Sequence, residues 1–262
     1  MPFIRSFGFN TTKTHPFPFN IPAVRFAKNL NMDSDVVIFV GDNGCGKSTL
    51  LECIALHCSL PLMGGFKFNG PDFAAAQALK PYIQLQWRRQ TSKGFFFRAE
   101  DFSDFISGVE RSQERLRHQL SDLSGQVDDT IIEQMASTAN YALKEMRRAY
   151  GDDMQAYSHG EAYLKILQTQ IEKKALYLLD EPEAALSPLK QLALMAFIMG
   201  EVKTRGSQFI IATHAPILMG VPGAKLYQIT EQSIESVIYT ETDHYRITKT
   251  FLDRPETYLR HF

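Results

Sequence analysis

The stretch that decides the fold is Gly41-Asp42-Asn43-Gly44-Cys45-Gly46-Lys47-Ser48, followed by Thr49. It fits the pattern G-x-x-x-x-G-K-[ST], and its flanks supply the context that the pattern requires. Residues 36–40 form a short β-branched and aromatic run, which predicts a buried strand. Residues 47–58 carry Leu50, Leu51, Ile54 and Ala55 at helical spacing. Glycines let successive backbone N–H groups turn inward around phosphate oxygens, and a helix N-terminus adds partial positive charge. Gly41 through Thr49 are therefore the candidate nucleotide-binding residues. Lys47 is in reach of the β- and γ-phosphates, and the Ser48 hydroxyl is placed to ligate Mg²⁺. A chance match is expected about 0.01 times in a chain of this length.

Outward from this turn the chain alternates short apolar runs with helical segments. Residues 175–179 and 209–212 read as central strands, and residues 188–204 and 215–220 as the helices that follow them. That alternation predicts an α/β architecture with a mostly parallel central sheet. Residues 82–88 and 94–98 read as two strands joined by a polar turn, an antiparallel portion. From 101 the chain turns polar and charged, with Leu116, Leu120 and Leu123 near helical spacing, and a helical insert at about 101–157 is expected. A C-terminal tail at about 243–262 reads as short amphipathic helices, the last beginning at Pro255. The whole is expected to be a single domain over residues 1–262.

The run Leu176-Tyr177-Leu178-Leu179-Asp180-Glu181 is an apolar strand ending in two carboxylates. Asp180 can hold Mg²⁺ beside Ser48. Glu181, one residue on, points differently and can orient or deprotonate an attacking water. The following Pro182-Glu183 completes a DEPE sequence.

With the phosphate loop, the run 180–188 (DEPEAALSP) resembles the ABC-type ATPases. Several expectations come from that resemblance alone. The fold is a P-loop NTPase of ABC type, and the cofactors are ATP and Mg²⁺. His214, ending Ile210-Ile211-Ala212-Thr213-His214, matches the histidine that contacts the γ-phosphate, so Glu181 and His214 are the expected catalytic pair. Ser158, His159, Gly160 and Glu161 stand where the family places its LSGGQ signature, with Ser158 and Gly160 matching and His159 and Glu161 departing. Ser-x-x-Glu is also a capping-box spacing, which makes Ser158 a good helix start on its own. A signature there implies a head-to-tail dimer with two ATP molecules between two copies. The family's glutamine corner has no clear counterpart: Gln84 and Gln86 lie on one strand, while the 98–100 corner carries Arg98 and Glu100. The altered signature, the DEPE run and the changed corner resemble stand-alone ATPases of the chromosome-maintenance, break-repair and OLD-like groups, some of which act in anti-phage defence.

Composition narrows the remaining choices. Lys+Arg 28 against Asp+Glu 29 leaves a net charge of −1, which excludes a strongly basic nucleic-acid coat and a polyacidic tail. The apolar stretch 192–199 falls well short of the roughly 20 residues that span a bilayer, and residues 1–10 lack the layout of a secretion signal. Cys45, Cys53 and Cys58 read as free thiols, so a cytoplasmic protein is expected. Two functions stand side by side. The first is an ATP-dependent dimeric switch that works with a separate effector such as a nuclease, or on DNA. Arg88, Arg89, Lys93, Arg98, Arg111, Arg115 and Arg117 are its candidate phosphate contacts, although acidic residues are interleaved among them. The alternative is the ATPase subunit of an ABC transporter, docked on a separate membrane protein. In either case the work is expected to be done through another molecule.

Overall fold

A computed structural model of the chain describes residues 2–63, 73–101, 164, 167–168, 170–184 and 186–260. Two units separate: Met1–Ala99 with Glu172–Phe262, and Glu100–Ile171. Nearly all of the expected insert, 101–157, lies outside the described residues. In the first unit the elements run β1 (Ile4–Phe9), α1 (Pro22–Phe26), β2 (Leu30–Asn31), β3 (Val36–Gly41), α2 (Lys47–Cys58), α3 (Ala74–Leu79), β4 (Ile83–Trp87) and β5 (Gly94–Arg98). They continue with β6 (Leu176–Asp180), α4 (Pro188–Arg205), β7 (Gln208–Ala212), α5 (Pro216–Met219), β8 (Lys225–Ile229), β9 (Ile234–Val237), α6 (Asp243–Asp253) and α7 (Glu256–Leu259).

Two sheets result. The larger is ordered β5-β6-β7-β3-β8-β9, parallel except for the antiparallel edge strand β9. Every residue of β3, β6 and β7 is buried, as expected of central parallel strands covered on both faces. The smaller sheet, β2-β1-β4, is antiparallel. The α/β class with a mostly parallel sheet and an antiparallel portion therefore stands. One detail is corrected: β4 and β5 do not pair with each other. β4 alternates partly buried and exposed residues, so one face is solvated, and it joins β1. In β5, Phe95 to Arg98 are all buried, and the strand pairs in parallel with β6. Gly94 begins it at φ +125, where a Cβ would stand 1.8 Å from the Leu176 carbonyl oxygen. Only glycine admits that approach.

The core joins both sheets. Helix α2 packs on β3, β5, β6 and β7 and also against α3. The rings of Tyr177 and Phe209 lie 5.1 Å apart, with Phe95 4.8 Å from Tyr177. Gln208, fully buried at the start of β7, ties the N-terminal strand to this core. Its Oε1 accepts the N–H groups of Phe3 and Ile4 at 2.8 and 2.9 Å, and its Nε2 donates to the carbonyls of Met32 and Ser34, both at 2.9 Å. A buried amide is tolerated here because all these bonds are made. Cys45, Cys53 and Cys58 are buried free thiols, and burial pushes each one's pKa upward. Among the described residues no helix is long and apolar enough to cross a membrane.

Candidate functional site

The turn between β3 and α2 is shaped by three glycines at positive φ: Gly41 (+152), Gly44 (+79) and Gly46 (+99). At Gly46, the left-handed N-cap of α2, a Cβ would stand 2.3 Å from Ile21 Cγ2 and 2.8 Å from Ala23 Cβ. The same contact zone carries a bond from the Ala23 N–H to the Cys45 carbonyl at 3.0 Å, so α1 braces the turn from behind. Asp42, Asn43 and Gly44 face solvent, Thr49 is half-buried, and the Cys45 side chain is tucked inside. Lys47 is only 4% exposed, and its Nζ donates to the carbonyls of Gly41 (2.9 Å) and Asp42 (3.0 Å). A cation is thereby held within a loop whose N–H groups favour anions.

Asp180 ends β6, in register with Arg98 of β5 and Ala212 of β7. Burial pushes its carboxyl pKa up to about 6, against the pull of a hydrogen bond from Ser48 and the charges of Arg98 and Lys47. Its Oδ1 is buried without a hydrogen-bond partner. An orphaned carboxylate oxygen beside a hydroxyl is a hard oxygen pair of the kind Mg²⁺ takes, so these residues fit that ion. Glu181 turns away at φ +49, its N–H bonded to the Ala212 carbonyl at 2.9 Å. Its half-exposed carboxylate reaches 3.8 Å from His214 Nε2. The phosphate loop, both carboxylates and His214 thus meet beyond the C-terminal ends of parallel strands, where open α/β sheets bind ligands.

Two residues outside the sequence expectation complete the group. Glu183 Oε1 accepts the N–H groups of His214 (2.6 Å) and Ala215 (3.1 Å), and the Thr213 hydroxyl bonds the same carboxylate. Burial pushes the Glu183 pKa up, opposed by those hydrogen bonds. On α6, His244 Nε2 lies 3.1 Å from His214 Nδ1. Burial lowers the pKa of both imidazoles, and the Lys47 charge adds to it.

Other expected residues fall elsewhere. Ser158, His159, Gly160 and Glu161 lie outside the described residues, as do Arg111, Arg115 and Arg117. Gln84 and Gln86 are on β4, in the smaller sheet. Of the basic candidates on the described residues, Arg98 needs correction, while Arg88 and Lys93 are exposed and ion-paired. Arg88 pairs with Asp33, and Lys93 with Glu172 at 3.0 Å. Arg98, 9% exposed, stands 3.9 Å from Glu52 and over the Phe73 ring. Arg98 is a buried member of the site's wall and no surface phosphate contact.

Comparison with known proteins agrees with this fold. A solved metal-chelate type ABC transporter in an inward-facing conformation has the same fold, with a TM-score of 0.50 at 16% identity, covering 95% of this chain and 88% of that one. Phosphate import ATP-binding protein PstB 1 of Vibrio parahaemolyticus is 30% identical over 68% of this chain, and that of Vibrio vulnificus 29% identical over 68%. Each match spans 64% of the relative's own length. Both relatives carry names of ATP-binding proteins for import, which overturns the expectation of a nuclease-type effector as partner. A family model described as an AAA domain of AbiEii toxin type (type IV toxin–antitoxin system) matches residues 161–220. The model described as ABC transporter matches residues 29–184, more than half of the chain. Because that match runs from before β3 to past the Asp180-Glu181 pair, the chain belongs to the ABC transporter family.

Proposed function

We propose that this chain binds ATP with Mg²⁺ and hydrolyses it, as the ATP-binding subunit of a transporter docked on a separate membrane protein. One observation carries the chemistry: Asp180 ends β6 with a buried, unpartnered Oδ1, and Glu181 beside it opens to solvent 3.8 Å from His214 Nε2. The N–H groups of residues 41–48 and Lys47 hold the phosphates. Asp180 and Ser48 would hold the ion, which would supply positive charge to offset that of the phosphates. Glu181 accepts a proton from the attacking water. His214 donates from Nε2 to a γ-phosphate oxygen. The docking reading is supported by the import relatives.

The site is expected to be completed by a second copy, with Ser158, His159, Gly160 and Glu161 closing on the γ-phosphate. Sedimentation with ATP tests this. Glu181→Gln is expected to retain ATP and sediment as a dimer, with turnover lowered by about 100-fold or more. A variant that stays monomeric overturns the dimer, and one that turns over at the wild-type rate overturns the role of Glu181. Tagged protein recovered from detergent-solubilised membranes should carry an integral membrane protein with it; recovery without one overturns the docking.

A further inference from the structure

The contact between His214 and His244 brings a residue into the site that the sequence does not point to. His244 is placed there by the start of α6. Thr242, fully buried, caps that helix by accepting the Tyr245 N–H at 3.3 Å. The neighbouring Asp243 accepts a bond from Gln228 Nε2 at 2.8 Å, which fastens the helix start to β8. These two bonds hold the backbone that carries His244 at the helix start.

Two neutral imidazoles 3.1 Å apart share one proton, so one nitrogen donates and the other accepts. The surroundings select the direction. His214 Nε2 is buried, has no hydrogen-bond partner and lies 3.8 Å from the Glu181 carboxylate. If His214 Nδ1 were the donor, Nε2 would turn a bare lone pair toward that carboxylate and toward a phosphate. If Nδ1 accepts, Nε2 carries a hydrogen that faces both favourably.

We propose that His244 is a positioning residue that donates from Nε2 to His214 Nδ1 and so keeps the proton of His214 on Nε2, aimed at the terminal phosphate. This rests on the reading of His214 as the γ-phosphate donor. Helix α6 thereby takes part in turnover through the tautomer of His214.

The test uses the full chain with ¹⁵N-labelled histidine, comparing wild type, His244→Gln and His244→Leu. The His214 ring signals are identified by their loss in His214→Ala. Nδ1 of His214 is expected to be unprotonated in the wild type and in His244→Gln, whose amide N–H replaces the donor. In His244→Leu the proton should distribute over both nitrogens, and kcat should fall about 10-fold with KM changed less than about 3-fold. His244→Gln should recover most of that loss. A protonated Nδ1 in the wild type, or an unchanged ring signal and kcat in His244→Leu, overturns the inference. Wild-type turnover in His214→Ala removes the reading of His214 beneath it, and is told apart because the ring signals of the wild type are unaffected by that result.

Discussion

The carboxylate of Glu183 accepts the backbone N–H of His214 at 2.6 Å, thirty-one positions further along the chain. The turn after β6 therefore fixes the backbone after β7, and Glu181, proposed above to accept a proton from water, and the ring of His214 share one support. Charged acceptors make the stronger hydrogen bonds, about 1.5–3 kcal/mol each.

Glu183→Ala removes that acceptor from two N–H groups at once. It should destabilise the fold by about 2–3 kcal/mol and lower turnover by about 10- to 100-fold, as loss of an orienting partner does. Glu183→Gln keeps an oxygen where Oε1 stands and should recover most of both. Thermal unfolding and steady-state ATP turnover measure the two effects. Wild-type turnover in the alanine variant would sink the idea of a shared support.

Asp180 predicts a pH dependence. Its folded pKa, about 6, lies above the roughly 3.9 of an unfolded chain. Between about pH 4 and 6 the folded state holds more protons, so this group makes stability fall as pH rises through that window. Two pKa units correspond to about 3 kcal/mol at neutral pH. Asp180→Asn should therefore raise nucleotide-free stability by about 1–3 kcal/mol at pH 7 and by little at pH 4. It should also lose Mg²⁺-dependent turnover. Urea unfolding at the two pH values checks this; an equal gain at both would mean that the buried charge is not the cause.

Much of this arrangement is legible in the sequence because it is local. The phosphate loop follows from eight consecutive residues, and the carboxylate pair from a strand and its last position. β5 and the helix α2 keep their predicted ends. What escapes is set by tertiary partners. The turn between residues 88 and 94 reads as a hairpin, yet β4 and β5 part into different sheets because one is solvated on a face and the other is not. Arg98 looks like one more surface cation until Glu52, Phe73 and Asp180 surround it. His244 lies thirty positions from His214, on a helix whose pattern reports only amphipathicity.

Gln208 makes a stability prediction with an internal control. Its amide satisfies two N–H groups with one oxygen and two carbonyls with one nitrogen. Gln208→Ala takes a partner from all four groups, of which the Met32 carbonyl keeps the Ser34 N–H, and should cost about 3–5 kcal/mol, at about 1–3 kcal/mol for each group that relaxation leaves unpaired. Gln208→Glu can still accept from Phe3 and Ile4 but turns a carboxylate oxygen on the Met32 and Ser34 carbonyls, so its cost should persist at pH 7 and shrink on acidification. Urea midpoints read both. Equal costs for glutamate at pH 5 and pH 8 would show that donation to the carbonyls is not what matters.

Gly44 and Gly46 separate backbone strain from collision within one turn. Both have positive φ, but a Cβ at Gly44 meets nothing within 4 Å, whereas at Gly46 it runs into Ile21 and Ala23. Gly44→Ala should cost only the strain of a left-handed alanine, about 1–2 kcal/mol. Gly46→Ala adds a collision inside a packed wall. It should cost about 1–3 kcal/mol more and displace α1 from the loop, with ATP binding lost. Ile21→Ala in the Gly46→Ala background should return part of the stability, because the nearest clash is with Ile21 Cγ2, but not all of it, since Ala23 and the strained φ remain. Chemical denaturation with ATP titration on the four proteins tests the order. If Gly44→Ala is the more damaging of the two single variants, the bracing of the phosphate loop by α1 is wrong.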